Sequence, residues 1–100
     1  MKRFHLAIAV EDFGASLEAY SRRLSAAPEL LVPGRFALWR TELLNVTISC
    51  KPGQAAGLRH VGFEDVSVST PYEERDLNGI IWEYFSADAQ MKELAEKFDL

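Results

Sequence analysis

Two segments far apart in the chain share a pattern that narrows the folds open to it. In Phe4 to Val10, the bulky Phe4, Leu6, Ile8 and Val10 alternate with His5, Ala7 and Ala9. In Leu58 to Glu64, His60 and Gly62 alternate with Val61 and Phe63. Period-two alternation marks a strand with two distinct faces. Here one face is bulky, and the other sets a histidine among small residues. A strand theme that recurs in this way reads as an internal repeat.

The residues between and after these strands supply the other elements. Asp12 stands where an N-cap belongs, and Phe13, Leu17, Tyr20 and Leu24 follow at helical spacing, which predicts a helix over 13–24. Ala26-Ala27-Pro28 ends it. Glu29 to Val32 reads as a short strand closed by a Pro33-Gly34 turn. Arg35 to Thr41 is a third strand. Leu44 to Cys50 is a fourth, with Leu44, Val46, Ile48 and Cys50 on one face and Asn45, Thr47 and Ser49 on the other. After a linker-like stretch at 51–57 and the Leu58–Glu64 strand, a weaker strand pattern over Thr70–Arg75 leads to Asn78-Gly79, a strong hairpin signal. Ile80 to Phe85 is the last strand. Met91, Leu94, Ala95 and Phe98 are spaced for a terminal helix after Ser86.

Residues 1–50 therefore read as a β-α-β-β-β module, 58–86 as a shortened copy and 87–100 as a C-terminal helix, all within one domain. The second copy is about twenty residues shorter, roughly the length of a crossover helix and one strand. Its bulky face (Val61, Phe63, Ile80, Trp82, Tyr84) still needs covering, because apolar burial is the main stabilising term. The expected cover is the terminal helix, through Met91, Leu94 and Phe98. A second subunit is the rival cover.

Composition removes several function classes. Hydrophobic residues at 48% and charged residues at 26% match a folded globular chain and argue against disorder. Fifteen acidic against eleven basic residues, a net charge of -4, disfavour a protein that tracks nucleic-acid phosphates. No apolar run approaches the roughly 20 residues needed to cross a bilayer. The Met1–Val10 segment imitates an export signal, but His5 interrupts its apolar run and Glu11-Asp12 ends it. A single cysteine, Cys50, forbids an intramolecular disulfide and fits a reducing cytoplasm. Cys50 itself reads as a small buried hydrophobe.

One constellation carries chemistry. His5 and His60 occupy equivalent positions in the repeated strands. In Trp82-Glu83-Tyr84, alternation places Glu83 opposite Trp82 and Tyr84. If Trp82 packs outward under a helix, Glu83 joins the two histidines on the concave side, with Ala7, Ala9 and Gly62 leaving room for an ion. Two imidazoles and one carboxylate form the facial triad that holds a divalent ion and leaves coordination positions open. Each residue also has a plainer reading. A histidine beside alanines serves as a core residue with one hydrogen bond. Taken together the three favour coordination, since buried ionisable groups are rare unless paired or ligating. Glu64 shares the face of His60 and is a further ligand candidate, although strand-end glutamates are usually solvated. Glu73-Glu74-Arg75-Asp76 reads as a solvated hairpin edge. Phe36, Trp39 and Tyr84 fit core packing better than substrate contact.

These stretches resemble the vicinal-oxygen-chelate superfamily, which includes glyoxalase I, bleomycin- and fosfomycin-resistance proteins and extradiol dioxygenases. The resemblance lies in Phe4-His5-Leu6-Ala7-Ile8-Ala9-Val10 with Asp12-Phe13, in Leu58-Arg59-His60-Val61-Gly62-Phe63-Glu64, and in Asp76 through Phe85. It implies an α+β fold of paired βαβββ modules, here with the second lacking its crossover helix. It also places the family's metal ligands on His5, His60 and Glu83, with a divalent iron, manganese, nickel or zinc ion as cofactor. Glyoxalase I takes a fourth ligand, a carboxylate, from its fourth strand. This chain offers Asn45, Thr47 and Ser49 there, which disfavours four-ligand isomerase chemistry and leaves a three-ligand site. The expected function is a metal-dependent dioxygenase- or lyase-like protein acting on a small substrate with vicinal oxygens, as a cytoplasmic homodimer. The alternatives are a metal-free protein that sequesters a small molecule, as bleomycin-resistance proteins do, and a degenerate interaction module.

Overall fold

The opening alternation becomes β1, Lys2–Ala9, the central strand of a seven-stranded mixed sheet. In the computed structural model, which describes residues 2–100, eight further elements follow. They are α1 (Phe13–Leu24), β2 (Leu30–Val32), β3 (Phe36–Arg40), β4 (Leu44–Ser49), β5 (Gly57–Asp65), β6 (Tyr72–Arg75), β7 (Ile81–Phe85) and α2 (Ala87–Phe98). The α+β class and the order of elements agree with the sequence reading. No helix among the described residues is long and apolar enough to cross a membrane.

Local chemistry sets the helix boundaries. The Asp12 carboxylate accepts the Ala15 N–H at 3.0 Å, and the Ser86 hydroxyl accepts the Ala89 N–H at 3.2 Å. Each satisfies one of the orphan donors at a helix start. The β6–β7 hairpin turns at Asn78-Gly79, where Gly79 adopts φ +81 and the Asp76 side chain accepts the N–H groups of Asn78 and Ile80. A positive φ of this kind is one that glycine takes without steric cost.

The strands run in the order β2-β3-β4-β1-β5-β7-β6. Strand β1 pairs parallel with β4 and antiparallel with β5. Strand β5 in turn pairs parallel with β7, and β6 pairs antiparallel with β7. The central β1–β5 pair thus brings the two histidine-bearing strands side by side, and it is this pairing that assembles the site.

Each face of the β2–β3–β4 end is covered by one helix. On one side, Phe13, Leu17, Tyr20 and Leu24 of α1 pack against Leu6, Ile8, Trp39, Val46 and Ile48. On the other, Met91, Leu94 and Phe98 of α2 pack against Leu30, Val32, Phe36 and Leu38. Leu38 and Trp39 are adjacent in β3 and point to opposite faces, yet both lose all solvent exposure. Full burial of one such side chain contributes roughly 1.5–3 kcal/mol.

The position of α2 corrects one expectation. The helix uses the predicted residues, but it covers the histidine-bearing face of the first half and not the bulky face of the second. The physical reason is the choice of partners. Phe36 and Leu38, with Leu30 and Val32 of β2, form an apolar surface on the concave side, and Gln90 of α2 meets polar groups beside it. Trp82 therefore points away from Glu83 without a helix over it. Instead the aromatics of the second half cover one another: Phe63 stacks with Trp82 and Tyr84, and Tyr72, 55% exposed, stacks on Tyr84 with ring centroids 4.7 Å apart.

Candidate metal centre

The register of three strands explains how residues distant in sequence converge. His5 on β1 lies opposite Gly62 on β5, and Gly62 lies opposite Glu83 on β7. His60 sits two residues before Gly62 and so shares its face. Across this row Gly62 presents no side chain between His5 and Glu83. The Nε2 atoms of His5 and His60 lie 3.1 Å apart, and Glu83 Oε2 lies 2.9 Å from His60 Nε2. One donor atom from each of the three residues falls within 4.8 Å of the other two.

Gly62 has a second role, different from the open space expected of it. A Cβ placed there would meet the backbone carbon and nitrogen of Glu83 at 2.7 and 2.8 Å, with the carbonyl oxygen closer still. The missing side chain lets β7 approach β5 and thereby sets the position of Glu83. Gly62→Ala is therefore expected to push the two strands apart, costing about 2–3 kcal/mol of stability as an overpacked site does. Urea unfolding measures this; an unchanged midpoint would contradict the close approach.

His5 is buried, and its ring is held on three sides. Phe85 packs edge-to-face on it at 4.9 Å. Its Nδ1 lies 2.9 Å from Asn45 Oδ1 and 3.1 Å from the Asn45 backbone oxygen, and both of these atoms are acceptors. The proton of the neutral ring therefore sits on Nδ1, and Nε2 presents its lone pair to His60. Burial pushes the pKa of His5 down, which the hydrogen bond to Asn45 only partly opposes, so the ring stays neutral. Glu83 is half-buried; the hydrogen bond from His60 lowers its pKa and outweighs desolvation, keeping it ionised.

The site opens into a cleft of about 310 Å³ between the concave sheet face and α2. Phe36, Phe85 and Leu94 give it apolar walls, while Thr47, Arg59 and Gln90 supply polar groups. Phe36 therefore serves both core and cleft. Trp39 is wholly core, and Cys50 is half-buried outside the cleft.

Glu64 does not join the triad, and it is not solvated either. Its side chain is only 6% exposed and accepts from Arg3 at 2.7 Å, Arg40 at 2.6 Å and Asn45 at 2.8 Å. Desolvation acts to raise its pKa, but the hydrogen bonds from Arg40, Asn45 and Arg3 prevail and hold it below the usual carboxylate value. The sequence reading lacked these partners because Arg3 and Arg40 stand 61 and 24 residues away. It placed Asn45 on the cavity face of the fourth strand without a role there, and passed over Gln90. A signal for Gln90 was present: it sits four residues before Leu94, on the inward stripe of the terminal helix.

No known protein-family model matches the chain, and the sequence has no significant match among curated proteins.

Proposed function

We propose that the chain is a small metal-dependent protein of the vicinal-oxygen-chelate kind, with His5, His60 and Glu83 holding a divalent ion. The observation that carries this reading is the donor spacing. Ligands bound at about 2.1 Å in adjacent positions lie roughly 3 Å apart when their bonds are perpendicular. Two of the three separations here are 3.1 and 2.9 Å, and the third, between His5 and Glu83, is within 4.8 Å. The donor chemistry also fits. His5 turns a lone pair toward the centre while its other nitrogen donates to Asn45, the usual second contact of a ligating imidazole. Glu83 is ionised.

The sheet supports the family reading. Strand β1 with parallel β4 and antiparallel β3 is echoed by β5 with parallel β7 and antiparallel β6. We read these as two βαβββ modules, the second without its helix and one edge strand.

A bound ion would supply Lewis acidity toward the oxygens of a ligand. The chain's own residues shape the rest. The cleft volume corresponds to about ten waters at roughly 30 Å³ each, so it suits a small molecule. Phe36, Phe85 and Leu94 offer such a ligand apolar contacts, and Thr47 and Gln90 offer hydrogen bonds.

One observation favours a second reading, sequestration of a small molecule without metal. A proton on His60 Nε2 satisfies both Glu83 Oε2 and His5 Nε2, and no buried side-chain nitrogen or oxygen among the described residues lacks a partner. Elemental analysis separates the two. The metal reading expects about one equivalent of iron, manganese, nickel or zinc per chain, or its uptake by the metal-free protein. Protein that takes up none of these yet binds a small ligand in the cleft would establish sequestration.

A further inference from the structure

We infer that Asn45 is a positioning residue that holds His5 with its Nε2 lone pair on the site, and that Glu64 and Gln90 lock the Asn45 amide in the orientation this requires. Asn45 has no solvent exposure, and every hydrogen-bonding group of its amide is used. Its Nδ2 donates to Glu64 Oε1 and to Gln90 Oε1, each at 2.8 Å. Its Oδ1 accepts from His5 Nδ1 at 2.9 Å and from Gln90 Nε2 at 3.3 Å.

Arg3 and Arg40 flank Glu64, whose carboxylate can only accept. The amide must therefore turn its NH₂ toward Glu64; the flipped form would set oxygen against oxygen there. That choice aims Oδ1 at His5 Nδ1, beside the Asn45 backbone oxygen at 3.1 Å. Two acceptors then keep the proton on Nδ1. Gln90 closes the arrangement with a reciprocal amide pair, and Arg40 donates to its Oε1 at 3.0 Å. An ion pair outside the cleft and a residue of α2 thus decide which nitrogen of His5 carries the proton and which is left bare toward the site. The consequence for metal rests on the function proposed above, whereas the tautomer does not.

The test uses the full metal-free chain, labelled with ¹⁵N, at neutral pH. Long-range proton–nitrogen correlation is expected to show His5 protonated at Nδ1 and bare at Nε2. In Asn45→Ala only the backbone oxygen remains as acceptor, so a tautomer mixture is expected, with Zn²⁺ affinity falling about 10–100-fold. Gln90→Ala frees the amide without deleting it and is expected to weaken Zn²⁺ binding about tenfold; it serves if Asn45→Ala does not fold. A wild-type His5 protonated at Nε2 overturns the inference. So does an Asn45→Ala or Gln90→Ala chain with tautomer and Zn²⁺ affinity unchanged. Wild-type protein with the Nδ1 proton that binds none of Zn²⁺, Fe²⁺, Mn²⁺ and Ni²⁺ upholds the positioning role and overturns the metal reading.

Discussion

Glu64→Ala is expected to destabilise the fold by about 3–5 kcal/mol, the range for removing one partner of a buried ion pair. The carboxylate is nearly fully buried between Arg40, 11% exposed in its side chain, and Arg3, 24% exposed. Its deletion removes the carboxylate that Arg3 and Arg40 share and leaves one N–H of the buried Asn45 without its partner. Against a total stability of about 5–15 kcal/mol this is a large fraction. Arg40 also pairs with Glu29, but that partner is half-exposed and offers weak compensation. Urea unfolding measures the loss; a change under about 1 kcal/mol would place Glu64 among ordinary surface ion pairs.

The same residue sets part of the acid sensitivity. Its pKa is depressed in the folded chain, so its contribution is present above the unfolded value near ~4.3 and is lost as pH falls through the folded value. His5 acts earlier and in the same direction. Burial depresses its pKa, so below about 6.5 the unfolded chain takes up a proton that the folded chain resists. Wild-type stability is therefore expected to decline gently below about pH 6.5 and steeply below about 4.3. Glu64→Ala should retain the first decline and lose the share of the second that Glu64 contributes, while that of Glu83 remains.

His60→Ala is expected to abolish stoichiometric metal binding, with a fall in affinity above about 100-fold, while the chain stays folded. The loss exceeds that from altering a ligand's supporting hydrogen bond, about 10–100-fold, because a donor itself is removed. His60 is the middle donor, near both His5 Nε2 and Glu83 Oε2. Its ring lines the cleft, so truncation enlarges an open space and does not leave a closed void. Because truncation withdraws a hydrogen-bond partner from Glu83 and from the buried His5, the stability change should be about 1–3 kcal/mol. His5→Ala is expected to lose more, since it also removes a buried ring from Phe85 and Asn45. Equilibrium dialysis with elemental analysis, alongside a thermal melt, tests both. One equivalent of metal on folded His60→Ala would exclude the proposed triad.

Much of the fold was legible because it depends on short-range patterns. Alternation identified the strands and their faces, Asp12 and Ser86 marked where helices begin, and Asn78-Gly79 marked the hairpin. Since faces were legible, so was the placement of His5, His60 and Glu83 on one side of the sheet. The supporting groups were not. Asn45 and Thr47 looked like weak candidates for want of ligating atoms, and Glu64 looked solvated because its arginine partners are remote in the chain.

Periodicity in the sequence thus determined which residues share a face, since a strand's side chains alternate whatever lies around them. Tertiary structure alone decided what each face meets. It set α2 over Phe36 and Leu38, left Trp82 and Tyr84 to be covered by Phe63 and Tyr72, and drew Arg3 and Arg40 onto Glu64. It also decided how closely β7 approaches Gly62. These outcomes depend on which surfaces and charges lie within reach once the strands have paired, and that distance is a property of the folded chain.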